Sequence, residues 1–113
     1  MCSKNLLDKL LSELSDYAGL VFGNKLVKVI LYGSYARGDF NEESDIDVMI
    51  MVNMTQEELN SYRRQFSKFC SRLNVENGVF LSPLLQSAPL FEDWKNALPF
   101  YQNVAKEGVA VYG

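Results

Sequence analysis

Apolar residues recur along this chain in two rhythms. Leu6, Leu7, Leu10, Leu11, Leu14, Tyr17, Ala18 and Val21 fall at three- and four-residue intervals, the stripe of an amphipathic helix with one face on a core. Ser3 is placed to cap its start and Gly23-Asn24 to end it. The rhythm then tightens. Leu26 to Tyr32 is dense in apolar side chains and reads as a strand buried on both faces. Farther on, Ile46, Val48, Ile50 and Val52 alternate with Asp45, Asp47, Met49 and Met51, the two-residue period of a second strand. Between the strands, Ser34 to Arg37 is expected to form a short helical turn closed by Gly38, and Asp39 to Ser44 a polar, acidic connection.

The second half repeats the alternation of elements. Thr55-Gln-Glu-Glu58 matches a capping box and opens one helix with the stripe Leu59, Tyr62, Phe66, Phe69, Cys70 and Leu73. Glu57 and Glu58 stand at its start, and Arg63, Arg64, Lys68 and Arg72 toward its end, the order a helix dipole favours. Those cations read as a solvated helix end. Asn77-Gly78 signals a turn. Val79 to Leu85 predicts a third strand, confined to an edge or an irregularity by Pro83. Pro89 and Pro99 suit the first turns of two short helices, Leu90 to Ala97 and Phe100 to Lys106. Gly108 stops the second, and Val109 to Tyr112 is expected as a short edge strand. Phe91, Trp94, Phe100 and Tyr101 belong to the core or to an interface, with the core preferred because aromatics at helical spacing usually pack inward. Helices and strands interleave throughout, so one α/β sheet domain is expected over residues 1–113.

Composition narrows the chemistry. The chain has 113 residues and a formal net charge of -3, so it lacks the basic surplus with which proteins grip nucleic-acid backbones. No apolar run reaches membrane-spanning length. There is no secretory signal and there are only two cysteines, Cys2 at the terminus and Cys70 on an apolar helix face. A disulfide scaffold is not expected, and a cytoplasmic location is. Histidine is absent. That removes histidine bases, Ser-His-Asp triads, Cys-His dyads and the usual zinc ligand sets. Chemistry in this chain must rest on carboxylates, hydroxyls, arginine or lysine, and a hard cation.

Gly33 to Asp47 supplies such a set. Gly33-Ser34 ends the first predicted strand and turns at once into a helical residue. Unpaired N–H groups at such a corner bind phosphate, and glycine lets the backbone approach a ligand closely. Gly-Ser after a strand is common, and alone it signals only a turn. Asp45 and Asp47 sharpen it. Two residues apart on a strand, they share a face with backbones about 6.6 Å apart. Their carboxylates then repel by roughly 2.5 kcal/mol at an effective dielectric near 20. A divalent cation turns that repulsion into attraction, and Mg²⁺ prefers carboxylate, water and phosphate oxygens.

Gly33-Ser34, ten residues, then Asp45-x-Asp47 resembles the signature of the DNA polymerase β-like nucleotidyltransferase superfamily. The longer string Leu-Tyr-Gly-Ser-Tyr-Ala-Arg-Gly-Asp with Glu-Ser-Asp-Ile-Asp is similar to the minimal nucleotidyltransferases of bacteria and archaea, and Leu98-Pro-Phe-Tyr-Gln-Asn-Val-Ala-Lys-Glu-Gly-Val extends the likeness to the end of the chain. The resemblance implies a polymerase β palm-like fold, a small mixed sheet flanked by helices. It implies that an acceptor hydroxyl attacks the α-phosphorus of ATP. Gly33 and Ser34 would hold the triphosphate, and Asp45 and Asp47 one or two Mg²⁺ ions. Arg37 would steady a phosphate or form a salt bridge with Asp39, Glu42 or Glu43; both readings stay open. The superfamily usually adds a third carboxylate from a neighbouring strand. The third predicted strand contains no acid; Glu76, just before it, is the nearest substitute, and Ser82 is no strong base.

Minimal nucleotidyltransferases often pair with a small helical HEPN-domain toxin. The expected function is therefore AMP transfer onto a hydroxyl of such a partner, a tyrosine in the leading reading. The alternative is an antitoxin that acts by binding alone. Aminoglycoside nucleotidylation ranks third, since those enzymes carry a further domain over the substrate. The acceptor, the nucleobase preference and self-association stay open.

Overall fold

In a computed structural model, which describes residues 3–41 and 44–113, one sheet carries helices on both faces. Chain order is α1 Lys4–Phe22, β1 Leu26–Tyr32, α2 Ser34–Arg37, β2 Ile46–Val52, α3 Gln56–Asn60, α4 Arg63–Asn77, β3 Leu81–Ser87, α5 Ala88–Trp94, α6 Pro99–Glu107 and β4 Val109–Tyr112, with a 3₁₀ turn at Gly23–Lys25 joining α1 to β1. The four strands lie in the order β3-β2-β1-β4. β1 pairs antiparallel with β2 and β4, while β2 and β3 run parallel. This is the mixed, helix-flanked sheet that the resemblance implied. Cys2, Glu42 and Glu43 lie outside the described residues.

The two-residue period of the strands sorts their side chains between two cores. Val29, Leu31, Ile46, Val48, Ile50 and Val52 face α1, α3 and α4, where Leu10, Leu14, Leu59, Phe66, Cys70 and Leu73 close over them. Ile30, Met49 and Met51 face the other way, against Ala88, Phe91 and Val104 of α5 and α6. β2 is thus covered on both sides. Burial pushes the Cys70 thiol up to about 12, consistent with a packing role. β1 is buried on both faces only from Val29 onward; Val27 and Lys28 are exposed. Among the described residues no helix is long and apolar enough to cross a membrane.

β3 is an edge strand, as Pro83 demanded, and the structure shows how that edge is blunted. The side-chain amide of Asn74 accepts from Leu81 N at 2.7 Å and donates to Leu81 O at 3.2 Å. Gln56 does the same at the other end, donating to Leu85 O and accepting from Ser87 N, both at 3.0 Å. Residues 81, 83, 85 and 87 therefore turn their backbone groups outward, and the N–H that Pro83 lacks would have faced that edge. Asn74→Ala strips two partly buried backbone groups of their partner. It is expected to cost about 1–3 kcal/mol, read as a lower urea midpoint at unchanged slope.

Several boundaries differ from the expectation. The helix opened by Thr55 is two helices. The capping box forms, with Glu58 N donating to Thr55 Oγ1 and Thr55 N to Glu58 Oε1, each at 3.1 Å. Then the chain tightens: Ser61 N and Tyr62 N donate three residues back, to Glu58 O and Leu59 O. The Ser61 hydroxyl also donates to Glu58 O at 2.8 Å. α4 consequently starts at Arg63, so Arg63 and Arg64 sit at its beginning rather than near a helix end. β3 begins two residues later than expected, because Gly78 turns into the left-handed region at φ 64° and both Gly78 N and Val79 N stay on Asn74 O. Phe91 is buried, but Trp94 and Phe100, assigned to the core, are 48% and 44% exposed.

Candidate functional site

Residues from β1, β2 and α2 converge at one end of the sheet. β1 delivers Tyr32 beside Asp47 in the antiparallel ladder, and β3 delivers Ser82 beside Asp47 in the parallel one. Gly33 follows Tyr32 with φ 76° and ψ −154°, a conformation essentially restricted to glycine. It is restricted by space as well: a Cβ built on Gly33 would stand 2.5 Å from Asp47 Oδ2. The Gly-Ser corner and the Asp47 carboxylate therefore share one small volume, which the ten-residue connection brings together.

α2 starts at this corner. Ala36 N and Arg37 N both donate to Gly33 O at 3.1 Å, so the N–H groups of Ser34 and Tyr35 come before the turn's first internal bond, as they do at a phosphate-binding corner. The buried Tyr35 ring stacks on Phe40 at 4.2 Å, pinning the turn to the outgoing loop. Gly38 N returns to Ser34 O at 2.9 Å with φ 83° and ends the turn.

Charge at the site is unbalanced. Burial, and then the negative charge of Asp45, hold the Asp47 carboxyl above the ordinary carboxylate range; Arg37 acts in the opposite direction. The neighbouring Tyr32 phenol is pushed up to about 12, by burial first and by Asp47 second. Asp45 is exposed and lies one residue ahead of β2 instead of within it. The two aspartates thus bear on each other, with Asp47 half-buried and Asp45 toward solvent. Such a pair of hard oxygen donors fits a divalent cation that draws its other ligands from phosphate and water. Among the described residues no third metal-binding side chain completes a protein-only cage.

Arg37 takes up one of its two open readings, and adds a partner the sequence did not suggest. Its Nε donates to Asp39 at 3.2 Å and its Nη1 to Glu107 at 3.5 Å. The second contact reaches across 70 positions to α6. Glu76, the candidate third carboxylate, pairs with Arg72 at 3.6 Å and is not among the charges acting on Asp47. The position on β3 that flanks Asp47 is Ser82.

One face of α6 closes the site. Tyr32, Gly33, Arg37, Phe100, Asn103, Val104 and Glu107 line a cavity of about 180 Å³. Sequence reasoning found no role in the site for α6. Phe100, Asn103, Val104 and Glu107 do lie at helical spacing in the terminal motif, and that spacing was the available signal.

Comparisons with known proteins identify the family and the fold. Residues 7–82 match the family model described as a nucleotidyltransferase domain. Two proteins of Methanocaldococcus jannaschii, each named "Putative protein adenylyltransferase", are similar in sequence. MJ0604 is 31% identical over 93% of this chain and 97% of its own length. MJ0141 is 34% identical over 68% of this chain and 76% of its own. Two crystal structures share the fold at lower identity. A toxin-antitoxin with AMP-PNP has a TM-score of 0.57 at 18% identity, over 89% of this chain and 72% of the other. A mutant of the toxin-antitoxin MntA-HpeT has a TM-score of 0.55 at 19% identity, over 88% and 70%.

Proposed function

This chain belongs to the nucleotidyltransferase domain family, and from that premise we propose that it moves AMP from ATP onto a hydroxyl of a protein partner. The proposed partner is a HEPN-domain toxin, the acceptor one of its tyrosines, and the metal Mg²⁺. The observation that carries the reading is the Asp47 carboxylate lying against the Gly33 corner. A metal-binding acid and a phosphate-binding backbone are needed within one nucleotide's reach, and a Cβ at Gly33 would already overlap Asp47 Oδ2. The names of the archaeal relatives support AMP and a protein acceptor. The toxin-antitoxin neighbours, one with AMP-PNP, support a toxin partner and ATP. Use of ATP fits a cytoplasmic location.

Each residue then has a task. The N–H groups of Ser34 and Tyr35 and the Ser34 hydroxyl receive phosphate oxygens. Asp45 and Asp47 would hold the divalent ion, which would polarise the phosphates and make the acceptor hydroxyl more acidic. The acceptor oxygen bonds to the α-phosphorus, the bond to the bridging oxygen breaks, pyrophosphate leaves, and the proton passes to solvent. Arg37 steadies a phosphate by exchanging Asp39 or Glu107 for it.

The test is transfer of label from α-labelled ATP to the purified partner with Mg²⁺. Label on a partner tyrosine that disappears with Asp45→Asn supports the reading. One observation favours a second reading, a binding-only antitoxin: the residue flanking Asp47 on β3 is Ser82 rather than an acid. Toxin inhibition that survives Asp45→Asn with no label transferred would establish that second reading and overturn the first.

A further inference from the structure

The ring of Phe100 meets Tyr32 and Tyr101 but stays open to solvent. It is 44% exposed, although α6 has a buried anchor one turn away in Val104. Its one described contact toward the sheet is an edge-on approach to Tyr32, with ring centroids 5.6 Å apart. Tyr32 is the residue beside Asp47. Three positions after Phe100 comes Asn103, on the same face of the helix and also exposed. Among the described residues its side-chain amide makes no hydrogen bond, whereas that of Gln102, on another face, donates to Asn96 O at 2.7 Å. An open aromatic face and a free amide thus stand together on the wall of the cavity that begins at Gly33.

The chemistry of that wall selects its occupant. Tyr32, Phe100 and Val104 make the α6 side apolar and aromatic, while Gly33 and Arg37 line the other side and Glu107 pairs with Arg37 at 3.5 Å. A neutral flat ring with hydrogen-bonding edges fits the Phe100 and Asn103 side, and the Gly33 and Arg37 side is left for phosphate. We infer that α6 is the nucleobase reader of the site, with Phe100 stacking the base and Asn103 bonding its edge. Aromatic stacking accepts any base, because every base has a π-face. The amide does not. Its oxygen and NH₂ match the N6–H₂ donor and N7 acceptor of adenine, while guanine offers two acceptors, O6 and N7, on that edge. Asn103 therefore favours ATP over GTP. Val104, buried against the sheet, holds this face of α6 in place.

The assignment rests on the nucleotidyltransferase reading of the Gly33–Asp47 corner, and the experiment separates the two. Calorimetry with Mg²⁺ compares ATP, GTP and inorganic tripolyphosphate on the full chain. The wild type is expected to prefer ATP to both others. Phe100→Ala should weaken ATP about tenfold and leave tripolyphosphate unchanged, and Phe100→Tyr should restore ATP. Asn103→Ala should narrow the ATP-to-GTP preference about tenfold. Equal weakening of ATP and tripolyphosphate by Phe100→Ala would make the ring merely structural and overturn the inference. So would variants that match the wild type for all three ligands, or a wild type that binds ATP no better than tripolyphosphate. A wild type that binds none of the three overturns the reading of the corner itself, and this inference with it.

Discussion

Asp47→Asn is expected to abolish AMP transfer, by about 10³-fold or more, while leaving the protein at least as stable as the wild type at neutral pH. The loss follows from the several kcal/mol that a metal ion contributes to a phosphoryl-transfer transition state, at about 1.4 kcal/mol for each factor of ten. The gain in stability follows from the direction of the Asp47 shift. Burial and Asp45 raise its folded pKa, so the fold prefers the neutral acid. The resulting destabilisation is absent below the unfolded pKa of about 4 and complete once pH exceeds the raised folded value. Asparagine keeps the shape and carries no charge, so the variant should melt at or above the wild-type temperature at pH 7 and lose that advantage near pH 3. Mg²⁺ with ATP should raise the wild-type melting temperature through linkage and leave the variant unmoved. A variant that transfers AMP within tenfold of the wild-type rate would remove Asp47 from the chemistry. Asp45→Asn should lose comparable activity, and in an NMR titration it should bring the Asp47 carboxyl back toward the ordinary range, because Asp45 is the second cause of the shift.

Where the hydrophobic period is long and clean, the sequence and the structure agree. α1 ends within two residues of the expected Gly23 stop, and β1 keeps its expected bounds. Both are specified locally, by a stripe on one side and by dense apolar content. The break between α3 and α4 is different. The stripe from Leu59 to Leu73 runs through it without a change of phase, and neither glycine nor proline marks it. At the break Leu59 is fully buried and Tyr62 tilts against Phe22 at 5.0 Å, tertiary contacts that no local spacing in the sequence records. The late start of β3 is also tertiary. Val79 and Phe80 have strand-like composition, but the carbonyl of Asn74 keeps Val79 at the helix end.

In the site, the motif residues were legible because their spacing is carried by a continuous piece of chain. Only ten residues separate Ser34 from Asp45, and the strand pairing on either side fixes where their ends meet. The contribution of α6 was not legible in that way. Glu107 meets Arg37 and Phe100 meets Tyr32 across more than half the length of the chain. Their only local trace was an aromatic at helical spacing, which base rates assign to the core. Exposure reversed that assignment for Phe100 and left it standing for Phe91. The difference lies in what each ring faces: Phe91 the interior of the sheet, Phe100 the mouth beside Gly33.

Gly33→Ala should damage the site more than the fold, and the comparison with Gly38→Ala shows why. Both glycines have positive φ, 76° and 83°. An alanine at Gly38 meets no atom within 4 Å, so it adds only the left-handed backbone strain of about 1–2 kcal/mol. At Gly33 the backbone region is harsher, with a strain of about 1–3 kcal/mol. The new methyl would also stand 2.5 Å from Asp47 Oδ2. That carboxylate is the end of a movable side chain, so the protein can relieve the overlap by turning Asp47 away. Folding then survives with a modest loss, but the carboxylate no longer meets the phosphate corner. A misplacement of about 1 Å can cost about 10²-fold in rate, and the expected loss of AMP transfer is of that order. Urea unfolding should rank the two variants close together, while transfer of labelled AMP should separate them by about two decades. Equal activity in both variants would mean that the close approach of Gly33 to Asp47 positions nothing, and would withdraw the feature on which the functional reading stands.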